Sequence, residues 1–388
     1  MKVKLSLLAS VMRKLFKLRC YACLFIPPIY CISVSFKVKG VMKMKRFFVP
    51  AIAGLLAGCM FYFPREAARA ASEACRLWAV AVLPTLFPFL ACMLLITGSL
   101  KSREKTGVSR LFGLPAIFCP LLALGLLSGS PGGSRLSQEF SVSSPAGRAG
   151  LKRFALYAGT MSPMFFVGTL GGWVHSLALG WVILIAHWLG AFLTGQLSRF
   201  FFKCPPLPEN AAAKPDGAFS LAQVMSSAAM AMFTVCGLMV LGSVAAQMVC
   251  CALPNLPEGL LAGLQAFLEV TAGCSRILTV PLPDSLPALR PALLCAAASF
   301  GGLSILLQNL AFLQAGGVSF GFLLKGRLCH ALLSFGLCFV LFPLAGAVVS
   351  PTYAPAAQNA PVLPIASLAV WFLSLLIPGT PRSKKLFS

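Results

Sequence analysis

Acidic side chains are nearly missing from this chain. Nine Asp and Glu stand against 32 Lys and Arg in 388 residues, and histidine occurs three times. That scarcity argues against hydrolytic or transfer chemistry, which needs convergent carboxylates, a nucleophile with its base, or a metal with its ligands. A Gly-x-x-x-x-Gly-Lys phosphate loop is lacking too, so ATP is not the energy source within this chain. Long hydrophilic stretches are absent, and no loop is long enough to fold as the basic soluble domain that nucleic-acid binding requires. The expectation is therefore a protein that is not an enzyme, carries no cofactor and contacts no nucleic acid.

What is present is apolar. Hydrophobic residues make up 58% and charged residues only 11%, a balance that describes a polytopic membrane protein and not a soluble domain. The formal charge of +23 has a topological origin: about a third of the Lys and Arg precede residue 47 and most others lie between apolar runs. Fifteen cysteines are scattered through those runs, with Cys20/Cys23 and Cys250/Cys251 the only tight groupings. They read as small buried hydrophobes, not as a disulfide framework or metal site.

Apolar runs near the 20-residue length of a bilayer crossing cover 47–63, 78–97, 154–172, 176–198, 221–248, 289–312, 328–348 and 362–377. This predicts an all-α protein of about eight transmembrane helices. Residues 1–46 form a basic extension, in which Met42 or Met44 is the expected true start and a signal peptide or extra span the alternative reading of 1–41. The basic loops at 101–105 and 148–153, the segment 199–216, Lys325 with Arg327, and the tail at 382–385 are expected inside. The mixed-charge stretch Arg65, Glu66, Arg69, Glu73 and Arg76 has amphipathic spacing and is expected along the outer surface.

Two interrupted stretches, 111–136 and 260–277, carry one repeated pattern. Ser130-Pro131-Gly132-Gly133-Ser134-Arg135-Leu136 matches Thr271-Ala272-Gly273-Cys274-Ser275-Arg276-Ile277. Small, polar, helix-breaking backbone is tolerated at membrane depth only where protein buries it or water reaches it. Both stretches therefore read as re-entrant hairpins. A second matched block, Gly159-Thr160-Met161-Ser162 and Gly301-Gly302-Leu303-Ser304, keeps the same spacing. On the expected topology the hairpins come in from opposite faces, which makes 47–203 and 218–388 inverted membrane repeats joined by a Pro-rich linker at 204–217.

The candidate binding groups cluster on these blocks. Glu269 is the only acid inside an apolar run of the second half, and an intramembrane charge implies a partner or a function. Three readings stand: an ion pair with Arg276 or Arg135, a solute or cation ligand, or an interfacial position. Ser130, Gly132, Gly133, Ser134, Thr271, Gly273 and Ser275 suit either a substrate loop, where glycines admit backbone amides to a ligand, or close helix packing, and Arg135 and Arg276 on the same blocks are further candidates for substrate binding. Ser162, Ser304, Gln308 and Asn309 offer hydroxyls and amides at the same level, apt for a small polar solute or for helix-to-helix hydrogen bonds.

Several segments appear together in the order found in a known family. They are Phe63-Pro64-Arg65-Glu66-Ala67, Leu83-Pro84-Thr85-Leu86-Phe87-Pro88-Phe89, Ser128 to Arg135, Thr160-Met161-Ser162-Pro163-Met164-Phe165-Phe166, Leu268 to Gly273 and Phe300 to Gln308. The chain resembles, over about residues 47–380, the YlbJ family of sporulation integral membrane proteins, within the nucleoside-recognition or gate-domain group. The resemblance implies a cell-membrane protein, of the mother-cell or outer forespore membrane, needed for spore cortex formation and transporter-like in build. It departs from the family's hairpin at Ser130, usually aromatic, and at Arg135, usually lysine, so the surface on which a base would stack is missing. A non-transporting scaffold for cortex-building machinery and a metal or ion permease are the alternatives. The lipid bilayer is the expected partner, with a second copy or other sporulation membrane proteins as further ones.

Overall fold

Peptide groups that cannot face lipid leave helix as the economical element in so apolar a chain. The computed structural model describes residues 42–99, 107–114, 118–138, 145–201 and 220–345, and among these it holds helices and no strand. Residues 1–41, the linker at 204–217 and the expected span at 362–377 lie outside that set. Residues 42–55 belong to a first unit, Met1–Leu55, where they form the start of α1 (Met42–Tyr62); the second unit runs from Leu56 to Ser388.

The first half of the second unit opens with a helix that runs unbroken from α2 (Pro64–Leu77) through a π-helical turn at Trp78–Val82 into α3 (Leu83–Ser99). The charged stretch expected along the surface is thus the first segment of a helix continuous with the next span. Ala67, Ala70, Ala71 and Ala74, at i, i+3, i+4 and i+7, give it a smooth packing face, and its five charges are exposed. Then come α4 (Gly107–Phe112), α5 (Phe118–Ser128), α6 (Gly132–Gln138) and α7 (Pro145–Ala158). A break at 159–162 and a π-helical segment at Phe165–Leu170 precede α8 (Leu177–Phe201).

The second half repeats this order. Its long helix α9 (Leu221–Ala252) starts at a capping box, with Ser220 Oγ accepting from Gln223 N and the Gln223 side chain accepting from Ser220 N. It is followed by α10 (Glu258–Leu268), α11 (Val270–Thr279), α12 (Leu289–Phe300), α13 (Gly302–Leu313) and α14 (Phe320–Leu341), the last capped by Ser319. Each half runs long helix, two short helices about a break, a helix interrupted at a small-residue block, and a final long helix, with α4 an additional short helix in the first half.

Both short pairs double back on themselves. A β-carbon at Gly133 would lie 3.1 Å from the Gly125 Cα, whereas an uninterrupted helix separates residues eight apart by about 12 Å. Likewise a β-carbon at Gly273 would overlap Ala266.

Two apolar cores hold the halves together by exchange. One combines Phe118, Leu121, Leu136 and Phe154 of the first half with Leu306 and Leu313 of α13 and Val224 to Val235 of α9. The other combines Ala262, Ala266, Cys274 and Ala292 of the second half with Phe166, Leu170 and Ile183 of the first. Each hairpin packs with the first segment of its own interrupted helix and shares a core with the second segment of the other.

By length and composition, four described stretches can cross a bilayer: Leu177–Ser198, Leu221–Ala252, Leu289–Gly316 and Phe320–Ala345. The run at 154–172 is broken at the Gly159 block. Lys325 and Arg327, expected in an inside loop, lie instead within α14, because the helix begins at the Ser319 cap and not at the last charge.

Candidate functional site: a polar line between the two hairpins

Each hairpin reverses against the break of the interrupted helix in its own half. Gly129 turns the first at φ +71°, and a β-carbon there would lie 2.7 Å from the Ser162 Cα. In the second half, Gly302 at φ +72° leaves room for only 3.0 Å between such a carbon and the Val270 nitrogen. Positive φ and backbone-to-backbone approach both require glycine here.

The helix α13 connects the two tips. At its start Gly302 touches the Glu269 turn; about 10 Å further along, seven residues on, Asn309 reaches the first hairpin. Ser134 Oγ donates to Asn309 Oδ1 at 2.6 Å and Ser130 Oγ to the same oxygen at 3.0 Å. Asn309 Nδ2 donates to the Ile305 carbonyl at 3.0 Å, which fixes the amide so that its oxygen faces the serines. Ser304 and Gln308, on the same helix, are buried, and Ser304 Oγ and Gln308 Nε2 have no partner among the described residues. Gly242 of α9 admits that helix against the Glu269 end of the line, since a β-carbon there would lie 3.0 Å from the Ser304 Cβ and 3.4 Å from the Glu269 Cγ.

Glu269 is buried and extended, at φ −145° and ψ 121°, between α10 and α11. Its carboxylate accepts from the Ala272 amide at 2.8 Å, and Thr271 supplies a further amide and hydroxyl. It is an N-cap carboxylate, held by the unpaired amides and positive end of α11. The ion-pair reading is thereby overturned. Arg276 Nη1 bonds Glu258 Oε2 at 2.8 Å because α10 folds back beside α11, and Arg135 donates to Ser227 of α9. Ser275 is exposed, so its counterpart role to the buried Ser134 is not realised. Gly132, Gly133 and Gly273 serve close approach: added β-carbons would meet Ser128, Ala158 and Ala266.

A second buried polar group, which the sequence reading did not assemble, joins α14, α8 and α12. Arg327, 5% exposed, extends Nη1 to His330 Nδ1 at 3.4 Å. His330 Nε2 lies 2.9 Å from the His187 carbonyl, which can only accept, so His330 carries its proton on Nε2 and offers Nδ1 to the arginine. His187 Nδ1 lies 2.7 Å from Ser299 Oγ, two residues before Gly301. The only legible signal was that both histidines and the arginine fall inside or beside apolar runs.

A stretch of 165 residues, 41% of this chain, is 23% identical to the sporulation integral membrane protein YlbJ of Bacillus subtilis (strain 168). The match spans 40% of that protein's length. No family model matches the chain, and no solved structure matches it.

Proposed function

We propose that this integral membrane protein is transporter-like and moves a small polar or nucleoside-like solute during sporulation, in a process required for spore cortex formation. In this reading the two hairpins dip into the bilayer of the mother-cell or outer forespore membrane from opposite faces, the halves are inverted repeats, and about eight spans surround them. The observation that carries it is the meeting of Ser130 and Ser134 with Asn309: a hairpin of one half touches the interrupted helix of the other through side chains alone. Interhelical hydrogen bonds of this kind contribute only about 0.6 kcal/mol each in membrane proteins, so a solute hydroxyl or amide can exchange with them. The spare hydrogen-bonding atoms of Ser304 and Gln308 on that helix, and the capped carboxylate of Glu269 beside its start, supply further contacts. The relative named for sporulation supports the setting.

A scaffold reading has one observation in its favour, since Ser130, Ser134 and Asn309 satisfy one another without a ligand. Uptake of radiolabelled nucleosides into proteoliposomes separates the two. E269Q and S130F are expected to abolish saturable uptake at normal protein abundance, while R276A, whose partner is the half-exposed Glu258, retains it. Uptake indifferent to E269Q and S130F refutes the transport reading, and normal cortex formation in cells carrying both substitutions favours the scaffold.

A further inference from the structure

Arg327 is a guanidinium buried to 5% exposure within an apolar helix, and its one hydrogen-bonding neighbour among the described residues is a histidine that carries no negative charge. Among the described residues no carboxylate pairs with it, and Nη2 has no partner at all. A buried arginine in a membrane protein is retained against an insertion penalty of about 2.5 to 3.5 kcal/mol, which points to an anionic partner or a function.

The direction of the free nitrogen is informative. Nη2 lies directly against Gly159, so close that a β-carbon there would overlap it, at the point where α7 stops and the first interrupted helix opens. Thr160, the next residue, is 1% exposed and its hydroxyl is likewise unpartnered. The carbonyl end of α7 faces this point, with the Ala155 oxygen 3.2 Å from a β-carbon placed on Gly159, and its partial negative charge makes the site tolerable for a cation without supplying Nη2 with an acceptor. On the other side, the His330, His187 and Ser299 chain fixes the Nη1 edge of the guanidinium, leaving one edge preorganised.

We propose that Arg327 and Thr160 form a subsite for an oxyanion, a carboxylate or phosphate group, bound at the break of the first interrupted helix. Guanidinium presents paired N–H groups in a fixed fork that matches two oxygens of such a group, and the Thr160 hydroxyl donates to a third position. The assignment of that oxyanion to the transported solute rests on the transport reading above; the existence of the subsite does not.

The test is ligand-dependent thermal stability of the purified full chain in neutral detergent. Inorganic phosphate, acetate and a short-chain phosphatidylglycerol are each titrated at constant ionic strength against chloride. A saturable rise in melting temperature is expected in wild type with at least one of them, with apparent affinity weakened about tenfold to hundredfold in R327Q. T160V, which keeps the charge and the side-chain shape, is expected to weaken it about tenfold, and it stands as the variant of record if R327Q does not fold. A response to the free ions assigns the site to a soluble anion and a response to the lipid alone assigns it to a headgroup; both support the subsite. An equal response in wild type and variants, or no response to any probe, overturns it. Because no transport is measured, failure of the uptake assay leaves this outcome intact, and the reverse also holds.

Discussion

Replacing Asn309 tests the junction between the halves most directly. Its side chain is 1% exposed and its oxygen accepts two hydroxyls, Ser134 at 2.6 Å and Ser130 at 3.0 Å. N309A therefore strands two donors at once, while S134A or S130A strands none, because the remaining serine still satisfies the amide. With membrane-protein hydrogen bonds near 0.6 kcal/mol and reaching about 1.7, the short Ser134 contact is expected to couple to Asn309 by about 1 kcal/mol and the longer Ser130 contact by about half that. N309A alone is expected to destabilise by about 2 to 3 kcal/mol, since two buried hydroxyls lose their acceptor. The assay is reversible unfolding in detergent micelles followed by tryptophan fluorescence, run on wild type, the three single variants and the S134A/N309A and S130A/N309A pairs. A coupling below about 0.3 kcal/mol for Ser134 with Asn309, within the additivity of independent sites, refutes the junction.

Two further outcomes follow from the same geometry. In that unfolding assay G302A is expected to destabilise by about 1 to 2 kcal/mol from its positive φ alone, and G129A by more, because its β-carbon would sit 2.7 Å from a backbone atom that no rotamer change can move; G237A, in α9 with nothing within 4 Å, is expected to be neutral or slightly stabilising. Single cysteines at Ser102, Ser144 and Ser285, placed in a background whose native exposed cysteines are changed to serine, test the inverted arrangement with a membrane-impermeant thiol reagent. Ser102 and Ser144 are expected to label from the cytoplasmic side and Ser285, exposed in the turn after α11, from the opposite side; one shared side for Ser102 and Ser285 removes the inversion.

The two interrupted stretches were legible because small, polar, helix-breaking residues are not tolerated against lipid, and the structure breaks the first at 129–131 and the second at Glu269, just ahead of the Thr271 block, which is itself helical. The role of Glu269 was not legible. Arg276 lies seven residues away, two helical turns on, so local spacing favours an ion pair. The chain instead breaks at Glu269 itself, turning the carboxylate onto the amides of α11, while the fold-back of α10 carries Glu258 to Arg276. Arg327 was hidden for the opposite reason: a cation at the edge of an apolar run looks like a loop charge, and only the Ser319 cap, eight residues earlier, whose hydroxyl accepts from the Phe322 amide, places it two turns inside the helix.

By itself the sequence determined the class of element and the two hairpin stretches that are interrupted, since hydrophobic length and helix-breaking residues act locally and leave a record in composition and order; the breaks at 159–162 and Gly301, inside runs expected as continuous spans, appear only in the fold. Which polar groups meet was decided by tertiary structure alone: Ser134 and Asn309 are 175 residues apart, and Gly159 lies 168 residues before Arg327. Contacts of that range depend on how interrupted helices pass one another, and that depends on glycine-sized gaps whose shape no single segment encodes.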